Sequence, residues 1–307
     1  MTGLEVSALS LGTVALGVDY GIDVPGDFGC PLEEDSIALL KTAAAAGINL
    51  FDTAPAYGTS EQLLGKALGS SSQALFASKV TIPRDDAGNF PPQEDIRAHL
   101  IASLQASRSH LCKEVLDVVQ IHNATVEMFA DETISCILLD LKQQGLFRFL
   151  GASVYTEAEA FAVIASGCFE LLQVPFSILD QRMANRVFPA AKAAGMAIMC
   201  RSALLKGVLS PKAQWLPAEM AELRTQVVRV MNALEISWHE ITEMALRFCL
   251  SFPQVSTVLI GVRTNEELLV ALRAVEAGPL PPELLAGTAS LSLVEESLWN
   301  PARWPLA

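Results

Sequence analysis

The chain is short of the features that mark several common functional classes. Its six cysteines (Cys30, Cys112, Cys136, Cys168, Cys200, Cys249) form no CxxC pair and its four histidines are scattered. Neither a disulfide framework nor a zinc cluster is readable from such spacing, and the thiols are expected to be reduced and mostly in the core. No apolar run reaches the ~18 residues of a membrane span, because Lys41, Asp52, Lys66, Lys79, Glu159, Glu170 and Asp180 interrupt every candidate. Basic stretches are missing as well. The 21 Lys and Arg are dispersed among 34 Asp and Glu, and a net charge of −13 gives a nucleic-acid backbone no landing surface. The opening MTGLEVSALSLGT lacks a basic region, an apolar stretch and a small-residue cleavage site, so no secretory signal is read and the cytoplasm is the expected location.

Apolar residues are plentiful, 51% of 307 against 18% charged, which is ample for a large core. One domain spanning 1–307 is expected, since α/β barrels run to roughly 250 residues or more as one unit. Strand-length apolar runs recur at 8–13, 48–52, 75–79, 116–122, 149–153, 171–174, 197–201 and 257–261. Helical signals fill the gaps: acids opening 33–47 before Gly47, then 60–69, 93–111, and 131–145 ending at Gly145. Thr156 and Glu159 form a capping box for 156–167, and Ser237 and Glu240 another for 237–252. A helix over 180–195 should be kinked or split by Pro189. Alternation of this kind implies a parallel sheet. Eight strands close most economically as a (β/α)8 barrel, here with an additional helix near 217–235, before the seventh barrel helix. A doubly wound sheet would normally carry GxGxxG after its first strand, and none is present. The P-loop-like stretch from Gly58 to Ala67 has the wrong glycine spacing and no Ser or Thr after its lysine, so it reads as helix.

Four residues at the ends of apolar runs carry the chemistry: Asp52 and Tyr57 in LFDTAPAYG, Lys79 in LFASKV and His122 in LDVVQIHN. A parallel barrel delivers such positions to one mouth. Reducing a carbonyl by hydride places charge on its oxygen, so a proton donor must lie within hydrogen-bond reach. Tyr57 is the candidate donor. An ammonium about 4 Å away interacts with phenolate by roughly 4 kcal/mol at an effective dielectric near 20, equivalent to about three pKa units, which Lys79 would supply. Asp52 would hold that ammonium, and His122 would donate a hydrogen bond to the carbonyl oxygen. Taken singly, each has an ordinary structural explanation, such as a capping Asp or a core His; the combination is what points to catalysis.

These motifs resemble those of the aldo-keto reductase superfamily, with its Asp, Tyr, Lys, His tetrad. The resemblance continues through TGLEVSALSLGT, GLFRFLGAS, LLQVPFSI, ALRFCLSFP and VLIGVRTNEEL to WNPARWP. It implies a barrel that uses NADP(H) or NAD(H), with Ser153 and Gln173 on the nicotinamide carboxamide and Gly12 and Thr13 beside the cofactor. Leu204 and Lys206 would lie at the pyrophosphate, and Gly261, Arg263, Thr264 and Glu267 toward the adenosine end. Val154 stands where the family usually has Asn, and Arg201 replaces the Tyr that stacks on nicotinamide, its planar guanidinium being able to lie against a ring. Arg263 argues for NADP(H). Glu267, with Val270 and Ala271 replacing the usual Glu and Asn, argues for NAD(H), although Thr264 and Glu267 also read as a capping box. The resemblance further implies a hairpin under the barrel, for which the residues ahead of TGLEVS leave little chain.

Candidate pocket walls are Tyr20, Phe28, Phe90, Phe129 and Trp215. The expected partner is a small aldehyde, ketone or sugar. The alternative is a nucleotide-binding regulatory or interaction subunit with little turnover, since folds outlive functions.

Overall fold

The computed structural model describes residues 3–306. Strands β1 (Leu9–Gly12), β2 (Leu50–Asp52), β3 (Leu75–Val80), β4 (Leu116–Ile121), β5 (Phe147–Ser153), β6 (Leu171–Pro175), β7 (Ala197–Arg201) and β8 (Thr257–Gly261) pair in parallel and in chain order. β8 returns to β1 through Leu9 opposite Val258 and Gly12 opposite Gly261, closing the barrel. Every strand lies within two residues of its expected run.

Side chains of a strand alternate between faces, so each second residue enters the barrel. Leu50, Ala77, Val118, Leu171 and Met199 form an apolar layer inside it. Two positions further along the same strands come Asp52, Lys79, Gln120, Gln173 and Arg201, which the same alternation turns inward at the carboxyl end. At the opposite end Leu4 and Val6 pack against the apolar layer. Asn49 ties that segment down, accepting from the Ser7 amide at 2.8 Å and donating to the Glu5 carbonyl at 3.0 Å.

One short turn, α1 (Val14–Gly17), follows β1. The outer ring is α2 (Glu33–Ala45), α3 (Ser60–Leu68), α4 (Gln93–His110), α5 (Thr133–Gln143), α6 (Glu157–Ser166), α7 (Val187–Ala193), α8 (Ala221–Leu234), α9 (Ile241–Leu250) and α10 (Asn265–Ala277), followed by α11 (Pro282–Gly287) and α12 (Glu296–Trp299). The helices bury their apolar faces on the outward-facing strand residues, including Phe51 and Phe76. α8 is the additional helix expected between the seventh strand and the seventh barrel helix. α6 opens with the expected box, in which the Glu159 amide donates to Thr156 Oγ1 at 3.2 Å and the Thr156 amide donates to Glu159 at 2.8 Å. The stretch that resembled a P-loop is indeed helix α3.

Three expectations need correction. The 180–195 segment is not one kinked helix: the buried Asp180 carboxylate accepts from Arg182 Nε and Nη2 at 2.8 Å each, which holds 180–186 as turns. α7 begins only at Val187, and Pro189 sits in its first turn, where a missing N–H costs nothing. Ser237 does not cap α9; its amide and hydroxyl donate to Glu240, which is itself the cap residue. All six cysteines are free, but only Cys200 and Cys249 are buried, while Cys30, Cys112 and Cys136 are exposed.

Candidate active site

The loops at the carboxyl end of the barrel enclose a cavity of about 790 Å³, within the range of small-molecule and cofactor sites. Strand register sets Gly12 opposite Asp52 and Ser153 opposite Gln173, all four of them predicted, and Lys79 opposite Gln120, which was not.

Asp52 is the electrostatic centre, with only 1% of its surface exposed. Its Oδ2 accepts from Lys79 Nζ at 2.5 Å, and its Oδ1 accepts from Gln120 Nε2 at 2.9 Å and Gln173 Nε2 at 2.8 Å. Both oxygens of this buried carboxylate are therefore satisfied. Lys79 gives a second proton to the Thr53 carbonyl at 2.9 Å. The Tyr57 ring lies beside the same ammonium, its centroid 4.8 Å from Nζ. Burial by itself would push the Lys79 pKa down. The Asp52 charge, the nearby Tyr57 oxygen and the hydrogen bond to Asp52 outweigh it, and the pKa lies above the usual lysine value. The ammonium is therefore charged at neutral pH and lies between a carboxylate and a phenol ring.

His122 meets Tyr57 edge to face, with centroids 5.7 Å apart and planes at 90°. Burial, helped by the Lys79 charge, lowers its pKa from 6.5 to about 4. The imidazole is neutral near pH 7, so one ring nitrogen can donate to a carbonyl oxygen while the other accepts.

Tyr57 is placed by a tight junction of backbones. Its carbonyl accepts from the Ser60 amide at 3.1 Å, Ser60 Oγ donates to the Thr13 carbonyl at 2.7 Å, and Thr13 Oγ1 donates to the Asp52 carbonyl at 3.1 Å. Gly17 and Gly58 permit the contact: a Cβ on Gly17 would lie 2.0 Å from the Tyr57 oxygen, and one on Gly58, at φ +57°, would lie 2.1 Å from the Gly17 oxygen.

Of the remaining predicted residues, Gly12, Ser153, Gln173, Arg201, Leu204, Lys206, Gly261, Arg263 and Glu267 line the cavity. Thr13 and Lys79 stand buried behind its wall. Thr264 borders a neighbouring hollow, and its Oγ1 accepts from the Glu267 amide at 3.3 Å. Glu267 both lines the cavity and takes part in bonding at the start of α10. Its Oε2 accepts from the Arg263 amide at 2.7 Å, a variant of the capping arrangement, and its Oε1 pairs with Lys212 at 2.7 Å. The Arg201 guanidinium lies 4.0 Å from the centroid of Tyr155 and donates to the Val154 carbonyl at 2.9 Å. Leu205, Lys206 and Gly207 all hold positive φ, turning their loop sharply at the cavity wall. Strained backbone of this sort tends to collect at functional sites.

Among the expected pocket walls, Tyr20 and Trp215 line the cavity and Phe28 borders the neighbouring hollow. Phe90 instead packs under Arg84 at 4.1 Å, and Phe129 against Phe169 at 5.6 Å. Sequence reasoning missed Gln120, although its place in the inward alternation between Val118 and His122 would have revealed it. It also missed Tyr155. All three tyrosines of the chain therefore face this cavity. Burial, only partly offset by Arg201, pushes the Tyr20 hydroxyl up to about 12, so it stays protonated.

A dinucleotide fits this arrangement. Near the four central residues the wall offers the Ser153 hydroxyl and Gln173 amide, 3.2 Å apart, as matching groups for a carboxamide. Further round lie Lys206, Lys212 and Arg263, the last two paired with carboxylates of the same wall. No atom lies within 4 Å of the position a Cβ would take on Gly261, which leaves the wall open there. Among the described residues no three His, Cys, Asp or Glu form a metal-binding group, and no helix is long and apolar enough to cross a membrane.

The aldo/keto reductase family model matches residues 8–292, and the chain belongs to that family. Among its relatives is L-galactose dehydrogenase of Arabidopsis thaliana, 28% identical over 97% of this chain and 94% of that protein. The NADH-specific methylglyoxal reductase of Escherichia coli is 30% identical over 68% of this chain and 67% of its own. The holo form of aldo-keto reductase AKR11C1 from Bacillus halodurans superposes with a TM-score of 0.78 at 26% identity, covering 97% of this chain and 96% of that one.

Proposed function

We propose that the protein is an NAD(P)(H)-dependent oxidoreductase acting on a small aldehyde, ketone or sugar, with Tyr57 as the group that gives and takes the proton. The observation that carries this reading is the Lys79 ammonium, held by the Asp52 carboxylate beside the Tyr57 ring, whose centroid is 4.8 Å away. When bound, the nicotinamide would supply or accept the hydride. The protein's own part is to manage the charge that appears on the substrate oxygen. Tyr57 donates its proton to that oxygen, and the adjacent ammonium stabilises the phenolate left behind. Asp52 keeps the ammonium in place, while Gln120 and Gln173 keep Asp52 from turning toward the substrate. Neutral His122 donates a second hydrogen bond to the oxygen and fixes its approach. In the oxidative direction the same atoms act in reverse.

Ser153 and Gln173 would hold the carboxamide, the loop at Leu204 and Lys206 the pyrophosphate, and Arg263, Thr264 and Glu267 the adenosine side. Gly12 and Thr13 would complete the wall beside the ring. The substrate end is rimmed by Tyr20, Tyr155, His122, Asn123 and Arg201, polar groups suited to a hydroxylated or dicarbonyl compound. Two relatives act, by their names, on L-galactose and on methylglyoxal, which supports that class.

Turnover of NADH and NADPH against a panel of aldehydes, ketones and aldoses tests the reading. Tyr57→Phe should lower the rate by ~10² or more while nucleotide binding, followed by fluorescence quenching, persists. Lys79→Met should do comparable damage. Full activity in Tyr57→Phe removes Tyr57 from its role, and tight nucleotide binding with no turnover across the panel favours a regulatory subunit.

A further inference from the structure

Across the mouth from Tyr57, the same cavity ends in two cations that are already occupied. Arg263 follows β8, and Lys212 lies in the 3-10 turn Pro211–Trp215 after β7. Facing them are Glu267, in the first turn of α10, and Asp27, carried by the long loop after β1. The Arg263 fork is filled from that loop: Nη1 donates to the Gly29 carbonyl at 2.9 Å, and Nη2 donates to the Asp27 carbonyl at 2.9 Å and to the Asp27 carboxylate. Lys212 pairs with Glu267 at 2.7 Å and with the other Asp27 oxygen at 3.5 Å. Two positive charges meet two negative ones, and Glu266 adds a further carboxylate to the wall.

We propose that Asp27 determines cofactor choice, favouring NAD(H) over NADP(H) by occupying the cations that a ribose 2′-phosphate would need. The inference rests on the dinucleotide reading above and gives that dinucleotide an orientation. With the nicotinamide at Tyr57, its far end reaches the Arg263 side of the cavity. A 2′-phosphate brings close to two negative charges and binds well only to an open guanidinium fork. Here it must first displace Asp27, and it then sits beside Glu267 and Glu266. A free 2′-hydroxyl makes no such demand; it is a donor, and a carboxylate is its natural acceptor. The Asp27 side chain is 51% exposed and that of Arg263 only 10%. Solvent screens a pair of that kind, so the preference is a matter of tens of fold and can be reversed by substitution.

Quenching of protein fluorescence, with Trp215 on the cavity wall as a reporter, measures Kd for NADH and NADPH separately in the full chain. The wild type should bind NADH at least about tenfold tighter, a gap of about 1.4 kcal/mol. Asp27→Ala should narrow that ratio by about tenfold, mainly through tighter NADPH binding. Asp27→Asn, which keeps the side-chain volume and removes only the charge, should do the same. Equal or better binding of NADPH by the wild type overturns the inference. So does an unchanged ratio in both variants, including weaker binding of both nucleotides alike, which is what a purely structural loop tie would produce. If neither nucleotide binds the wild type, the dinucleotide reading itself falls, and this inference falls with it.

Discussion

At the scale of single residues, the mouth of the barrel is governed by how few atoms share one buried charge. Asp52 uses both oxygens, Lys79 donates to Asp52 and to the Thr53 carbonyl, and the His122 imidazole, its pKa lowered by burial, stands near them. His122 therefore leaves a mark on stability as well as chemistry. The unfolded ring takes up its proton near 6.5 and the folded ring only near 4. As pH falls the unfolded state binds protons first, so this residue subtracts stability progressively from about pH 6.5 to about pH 4 and no further below that. Urea midpoints of His122→Asn and the wild type, measured across pH, should diverge in slope only within that window; parallel curves would contradict the assigned pKa. The tetrad was readable in the sequence because each member follows a short apolar run, Tyr57 in the turn just past Asp52. Gln120 was equally readable by parity, since it lies two residues beyond Val118 and two before His122. Asp27 was not, because nothing local marks an aspartate in a loop as the partner of an arginine 236 positions away.

Among the elements, the junction of α1, β2 and the Tyr57 turn has no room to spare. Gly17→Ala must push its new methyl into the Tyr57 carbonyl, and overpacking of this kind costs about 1–3 kcal/mol. Gly65 in α3 makes an equally close approach, 2.0 Å from Cβ to the His110 oxygen, but at a helix contact. Both alanine variants should therefore melt several degrees lower. Only Gly17→Ala should also reduce kcat in the fraction that remains folded, by about tenfold or more, because it moves the proton donor. Equal kcat in the two variants would show that the junction does not position Tyr57. Strand positions were legible to within two residues because apolar runs bounded by polar residues are local signals. The start of α7 was not, since a buried Asp180 bound to Arg182 overrides the helical pattern there. The turn α1 and helices α11 and α12 had no sequence expectation at all.

Over the whole molecule, the C-terminal segment returns to the rim of the barrel mouth. The Leu293 amide donates to the Leu179 carbonyl at 2.8 Å, Arg182 stacks 3.3 Å above the Trp299 ring, and Pro301 reaches the cavity wall. Trp299→Ala removes the stacking surface while leaving the Asp180 pair intact. Amide exchange should then accelerate over 293–304 and remain slow in the eight strands. Uniform acceleration would mean that the segment and the barrel open as one unit. Although the chain carries a net charge of −13, folding gathers Lys206, Lys212 and Arg263 on one side of the cavity, with Asp27, Glu266 and Glu267 beside them.

Composition, alternation and the residues that end each strand were enough to specify a closed parallel barrel and the four groups at its mouth, because a period of two and a strand-end position are properties of neighbouring residues. Tertiary structure alone decided which cations are neutralised, which aromatic rings face the cavity and where the C-terminal segment docks. Those outcomes depend on loops meeting across a closed barrel. Contacts between positions more than two hundred residues apart exist only after every strand has taken its place in the ring.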